Sequence, residues 1–305
     1  MTERQKGLYH RYAGVRFRVM DIACAGFLGF VGLLLIFFHK EVQSWPKHVF
    51  FHAALVFGIL ELIRIGEKHP QNKILWFLRT FYPIAVFLFG WSEVGPIVRM
   101  FFGTFWFTDV AIAMDKFLFG VHPTVWLQQF YGPILDEIMG IFYGGYYLFM
   151  PTVVLVLYIK GKREETLAAF SFLSMTLLSN FFLFYLLPAL SPLMADGFSE
   201  LHTQQYTGYL FTWFIRTIQA NAGMAGGAFP SSHISEAFIL ALVAFRYEKK
   251  LGRLLLPLTV GVAISTVYLG YHHAVDPIFG FIWGGLCYVF TLKVLKARNE
   301  DPINA

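Results

Sequence analysis

Residues 254–290 read LLLPLTVGVAISTVYLGYHHAVDPIFGFIWGGLCYVF, two apolar runs parted by Tyr271-His272-His273-Ala274-Val275-Asp276. Each run approaches the about 20 residues a helix needs to cross a hydrocarbon core ~30 Å thick. A break this short turns the chain back at one membrane surface. Working outward, runs of similar length lie at 20–38, 48–65, 74–92, 138–158, 166–187 and 233–248, which with 254–272 and 275–294 give eight expected spans. The composition agrees: 57% of the 305 residues are hydrophobic, 19% are aromatic and 14% are charged, too apolar for a soluble domain of this size. The expected fold is an all-α integral membrane protein.

An even number of spans puts both termini on one side, and Lys and Arg should gather there. They cluster at Arg4, Lys6, Arg11, Arg16 and Arg18; at Arg64, Lys68, Lys73 and Arg79; at Lys160, Lys162 and Arg163; at Arg246, Lys249, Lys250 and Arg253; and at Lys293, Lys296 and Arg298. Only Lys40, Lys47, Arg99, Lys116 and Arg216 fall outside that side. The termini are therefore expected to be cytoplasmic, with 1–92 holding N-terminal transmembrane helices, 93–294 the functional membrane domain and 295–305 a cytoplasmic tail. The basic N-terminal stretch reads as a cytoplasmic flank, not a cleaved signal. Cys24 and Cys287 sit in apolar runs as small hydrophobes, which suggests neither a disulfide framework nor a cysteine metal site.

Two long connections, about 93–137 and 188–232, are expected on the extracytoplasmic face. Aromatics mixed with Thr104, Asp109, Asp115 and Lys116 in the first suggest one or two interfacial helices. The second holds Pro188, Pro192 and the Gly-rich Asn221-Ala-Gly-Met-Ala-Gly-Gly-Ala-Phe-Pro230, and must bend sharply.

This face collects the candidate chemistry. Pro230-Ser231-Ser232-His233 opens the sixth span, where free amides at a helix start suit an anion, although Ser231 alone reads equally as an N-cap. His272 and Asp276 are four residues apart; on a helix they share a face, so the carboxylate can hold one imidazole nitrogen and leave the other free. Ionisable residues at membrane depth point to function, though such a pair also serves as a structural bond or a proton relay.

Together the segments resemble the type 2 phosphatidic acid phosphatase superfamily, whose signature has a Pro-Ser-x-His segment and, further on, Ser-Arg and His-x-x-x-Asp. The fit is Pro230 to His233, then Ser265 and His272 to Asp276. The family's first motif, a Lys and an Arg-Pro, has no match before Pro230, and Thr266 stands in place of Arg. These departures, with Asp115-Lys-Phe-Leu-Phe-Gly-Val-His-Pro123 and Trp126, look like the inositol phosphorylceramide synthase branch.

The resemblance implies a six-helix phosphatase-type core in which His272 attacks phosphorus, Asp276 orients it and His233 protonates the departing oxygen. Ser231 and Ser232 would hold phosphoryl oxygens, and no metal or other cofactor is needed. Arg216 is the first candidate to replace the missing cations, ahead of His273, His202 and Lys116. The expected substrate is a phospholipid or lipid phosphate, with ceramide, diacylglycerol or water as acceptor and no nucleic-acid partner. The implied location is a bacterial inner membrane. Hydrolysis alone is the alternative, and a transporter a distant one, since its ionisable residues should lie near the bilayer midplane. His39, His48 and His52 lack partners at a telling spacing, and Tyr143, Tyr146 and Tyr147 form a stripe that reads as packing or the lining of a lipid cleft.

Overall fold

Charged residues bracket the apolar runs, and the helices begin and end close to them. The computed structural model describes residues 14–222 and 224–303. In chain order its helices are α1 (Val19–Phe37), α2 (Trp45–Lys68), α3 (Lys73–Ile97), α4 (Phe107–Phe119), α5 (Pro123–Leu127), α6 (Pro133–Tyr146), α7 (Phe149–Ile159), α8 (Arg163–Leu186), α9 (Leu210–Ala222), α10 (Ser232–Tyr247), α11 (Lys249–Tyr268) and α12 (Val275–Ala297). Among the described residues the extended structure amounts to a bridge between Ala189 and Gly227. By length and hydropathy α1, α2, α3, α8, α11 and α12 can each cross a membrane, and two bent helix pairs raise the number to as many as eight. The chain is a multi-pass, all-helical membrane protein.

Several expected bounds move for physical reasons. The span expected at 138–158 is bent by 48° between α6 and the stretch Pro151–Ile159, beside a proline that cannot donate to the helix ladder. At 16 residues α10 is about 24 Å long, short of a full crossing, and most of its surface lies buried against its neighbours. Where interfacial helices were expected in the first connection, α4 and the stretch Pro123–Phe130 are bent by 65° and together are long and apolar enough for a broken span or re-entrant loop, and the second connection also carries α9. The tail expected from residue 295 starts inside α12, and Glu300 and Asp301 fold back: the Val19 amide donates to Glu300 Oε2 at 3.0 Å and Arg246 pairs with Asp301 at 2.6 Å. Arg4, Lys6 and Arg11 of the basic flank lie outside the described residues.

Helix α8 is the hub, in contact with α1, α3, α10 and α12. In lipid, helices gain little from leaving their solvent, so close packing and internally satisfied polar groups must hold them. Ser171 and Thr176 accordingly donate to carbonyls of their own helix, Leu167 and Phe172. On α12, Gly280 and Gly284 let two backbones meet: a Cβ at Gly280 would lie 2.7 Å from Ser231 O, and one at Gly284 2.9 Å from Ser235 O. This approach lets the Ser231 amide donate to the Asp276 carbonyl at 3.0 Å.

At that end of the bundle three remote segments interlock. Phe107 N–H donates to Pro188 O at 3.1 Å, Ala189 bridges to Gly227, and Tyr131 Oη donates to Tyr268 O at 2.9 Å.

Candidate active site

The turn between α11 and α12 decides the site's geometry. A helix was expected to run through His272; it stops at Tyr268 because Gly270, at φ +74°, turns the chain left-handed. The amides of Tyr271 and His272 close back on Thr266 O at 2.9 and 3.2 Å. His272 and Asp276 still meet, now across a turn and not along a helix face, with His272 Nδ1 3.1 Å from Asp276 Oδ2.

Ser231 stands at the N-cap position of α10, but its hydroxyl does not cap the helix. It lies instead 3.0 Å from His272 Nε2. On the same nitrogen, 3.2 Å away, sits Nδ1 of His233, whose Nε2 is 3.1 Å from Tyr143 Oη. With the Asp276 carboxylate as acceptor, His272 carries its proton on Nδ1 and offers a lone pair at Nε2. That lone pair faces both the Ser231 hydroxyl and His233 Nδ1, while His233 Nε2 lies beside the Tyr143 hydroxyl.

Burial sets the electrostatics. Ser231, Ser232, His272 and Asp276 are all at most 3% exposed, whereas His233 is only half-buried and marks the open side. Burial pushes the His272 imidazole down to about 4. The ring is therefore a free base at neutral pH.

Two supports had not been singled out as site residues. Asn180 on α8 donates to Pro230 O at 3.0 Å and accepts from Ser235 Oγ at 2.8 Å, so it pins the start of α10. A lone amide within an apolar span was the signal for it. Asp115 on α4 accepts from the amides of Ala274 and Val275, both at 2.9 Å, and ties the first connection to the start of α12. Tyr143, whose stripe reads as packing or the lining of a lipid cleft, is a direct neighbour of His233.

The remaining candidates divide. The backbone amide of His273 donates to Asp276 Oδ2 at 2.9 Å, while its ring lies against Phe198. Arg216 donates to Tyr206 O at 2.6 Å and Gln205 Oε1 at 3.3 Å, with its guanidinium over the Tyr206 ring. Lys116 is exposed on α4, and His202 also packs on Phe198. His48 and His52 flank Glu93 at 2.8 and 3.5 Å, a pairing between α2 and α3 that no spacing within one segment could reveal. His39 stacks on Trp45.

A PA-phosphatase related-family protein of Dictyostelium discoideum is 32% identical over 107 residues, 32% of this chain and 19% of that one. An uncharacterised protein of Methanocaldococcus jannaschii is 38% identical over 74 residues, 23% of this chain and 30% of that one. The matches thus span less than a third of either relative. No solved structure matches. The family profile of the PAP2 superfamily matches residues 111–290, more than half of the chain and the whole path from α4 to α12 that builds the His233–His272–Asp276 constellation, and the chain belongs to that superfamily.

Proposed function

We propose that this protein breaks a phosphate ester of a membrane lipid through a phosphohistidine and passes the phosphoryl group to a lipid hydroxyl. The observation that carries the reading is the buried, unprotonated His272, held by Asp276 on one side and met by His233 on the other. His272 Nε2 attacks phosphorus, Asp276 holds the ring in one tautomer, and His233, which takes up a second proton from the open side when the anionic phosphate enters, gives a proton from that imidazolium to the departing lipid oxygen and returns to the neutral ring. Ser231 releases His272 Nε2 and turns its hydroxyl to a phosphoryl oxygen, joined by Ser232 and the amides at the start of α10. The phosphorus must sit between nucleophile and leaving oxygen, so a 3.2 Å gap between the two rings has to open when substrate enters. Arg216 and His273 are the candidates for further phosphate contacts.

Transfer is favoured by the likeness of Asp115 to Pro123 and of Ser265-Thr266 to the inositol phosphorylceramide synthase branch, which makes a phosphoinositol headgroup and a ceramide or diacylglycerol acceptor the first choice. Hydrolysis by water is the second reading, supported by the name of the Dictyostelium relative. Residues 93–294 would form the catalytic domain, with 1–92 added to it. The asymmetry of Lys and Arg supports cytoplasmic termini and an extracytoplasmic site; the likeness of Asp115 to Pro123 to bacterial members of the branch makes a bacterial inner membrane the proposed location.

Purified protein given phosphatidylinositol, with and without ceramide, should yield a phosphoinositol-bearing ceramide only when ceramide is present, and with labelled diacylglycerol the label should exchange into phosphatidylinositol. Release of a water-soluble phosphate alone would replace transfer by hydrolysis. Absence of any product from phosphatidylinositol and phosphatidic acid alike would overturn the reading.

The position of the acid limb is a further expectation. Because burial lowers the His272 value, the nucleophile stays unprotonated from neutral pH down to about 4, and its reactivity is lost as pH falls through that value. Single-turnover phosphorylation measured against pH should show this limb well below the ordinary histidine range. A limb near 6.5 would mean that His272 is not held as a buried free base.

A further inference from the structure

A second carboxyl lies one helical turn beyond His233. Glu236 follows it by three residues on α10, so the two side chains occupy neighbouring positions of one helix face, with Cβ atoms about 5–6 Å apart. The Glu236 side chain is buried. Its Oε2 accepts from Tyr146 Oη at 2.7 Å, and the Tyr146 ring packs on the His233 imidazole at 4.8 Å between ring centres. One tyrosine of α6 thus touches both groups and holds them together.

Glu236 has no cation beside it. Among the described residues, the ion pairs of Lys, Arg and His leave it out. A carboxyl buried at membrane depth without a cation is costly and points to function. The proposed reaction creates a cation at the neighbouring position, the His233 imidazolium that forms when the anionic phosphate enters.

The surroundings offer that imidazolium little else. From α6 the titratable groups are Tyr143, Tyr146 and Tyr147, hydroxyls that are neutral at neutral pH. From the turn before α12 comes the free base His272, and Asp276 stands behind it, on the far nitrogen of that ring. Helix α8 brings the neutral amide of Asn180 to the start of α10. Among the described residues, α7 and α11 send no ion-pair partner to either group. Glu236 is therefore the carboxyl placed on the face of His233 itself.

We propose that Glu236 is a positioning residue for the general acid: its carboxylate is the counter-charge that lets His233 hold the second proton, with Tyr146 fixing the two side chains together. The inference rests on the proposed reaction at His272 and assigns the group that sustains its acid step. The imidazolium gives its proton to the leaving oxygen as the P–O bond breaks and the bond from His272 Nε2 to phosphorus forms. In the second half the acceptor hydroxyl gives a proton to the neutral His233 ring as its oxygen takes phosphorus from His272. Glu236 itself neither gives nor takes a proton in either step.

Glu236→Gln keeps the shape and an acceptor for Tyr146 and removes the charge. In single-turnover phosphorylation at neutral pH it should slow a lipid ester about tenfold or more, while an aryl phosphate, which needs little protonation, stays within about threefold of the wild type. Without the carboxylate the imidazolium needs a higher proton concentration, so the basic limb for the lipid ester moves to lower pH and acidification restores its rate. Glu236→Asp, which keeps the charge, should recover most of the lost rate. Equal slowing of the two esters, an unmoved basic limb, or a Glu236→Asp as impaired as Glu236→Gln would overturn the counter-charge. Protonation is also read without turnover, by NMR of isotope-labelled histidine in protein saturated with inorganic phosphate. The His233 ring should titrate about one pH unit or more lower in Glu236→Gln than in the wild type. Equal midpoints overturn the proposal even where the enzyme is active. A lowered midpoint in a protein that forms no phosphoenzyme supports it and places the failure in the reaction at His272.

Discussion

Replacing His272 by Ala is expected to abolish turnover, by on the order of 10⁴-fold or more, together with any acid-labile phosphoenzyme trapped on the wild type. The neighbouring His273→Ala should still form the phosphoenzyme at a measurable rate. The difference does not come from a helix, since residues 269–274 are not helical. It comes from the turn, which sends the His272 ring to Asp276, Ser231 and His233 while the His273 ring packs on Phe198. Asp276 Oδ2 accepts both the His272 ring and the His273 amide, so His273 helps hold the carboxylate through its backbone, which an Ala retains. Acid quench after labelled substrate, followed by mapping of the labelled peptide, measures the outcome. Near-normal turnover in His272→Ala, or label on His233, would remove His272 from the role of nucleophile.

What could be read in the sequence were properties of single segments. The apolar runs at 20–38, 166–187 and 233–248 return as α1, α8 and α10 with ends shifted by a few residues, because a span is written in its own length and flanks. Contacts between segments were not written there. Asn180 pins Pro230 from fifty residues away, Asp115 reaches the start of α12 across most of the domain, and Glu93 on α3 gathers two histidines of α2. Tyr143 belongs to this group: a stripe of tyrosines on α6 reports a face, but not that α10 places an imidazole against it. Where sequence did predict a contact, at His272 and Asp276, the partners are as expected although the helix invoked to join them is absent.

His233→Ala should separate the second proton transfer from the first. Its loss should slow cleavage of a lipid ester by 10²–10⁴-fold, about the contribution of a positioned general acid, because a departing alkoxide is a poor leaving group without a proton. An aryl phosphate, whose leaving group needs little protonation, should still phosphorylate His272 at a rate much closer to that of the wild type. The geometry explains why His233 is suited to the task. Its Nδ1 faces His272 Nε2 across the space the phosphorus must enter, and its Nε2 lies beside the Tyr143 hydroxyl. A lipid oxygen leaving on the side away from His272 therefore meets the His233 ring, which is the proton donor once the anionic phosphate has drawn a second proton onto it from the open side. The measurement is burst kinetics on both substrates, since the first burst reports phosphorylation of His272 alone. Equal slowing of the lipid and the aryl phosphate would mean that His233 shapes or binds the site without delivering the proton, and the assignment of general acid would then pass to another group on the open side.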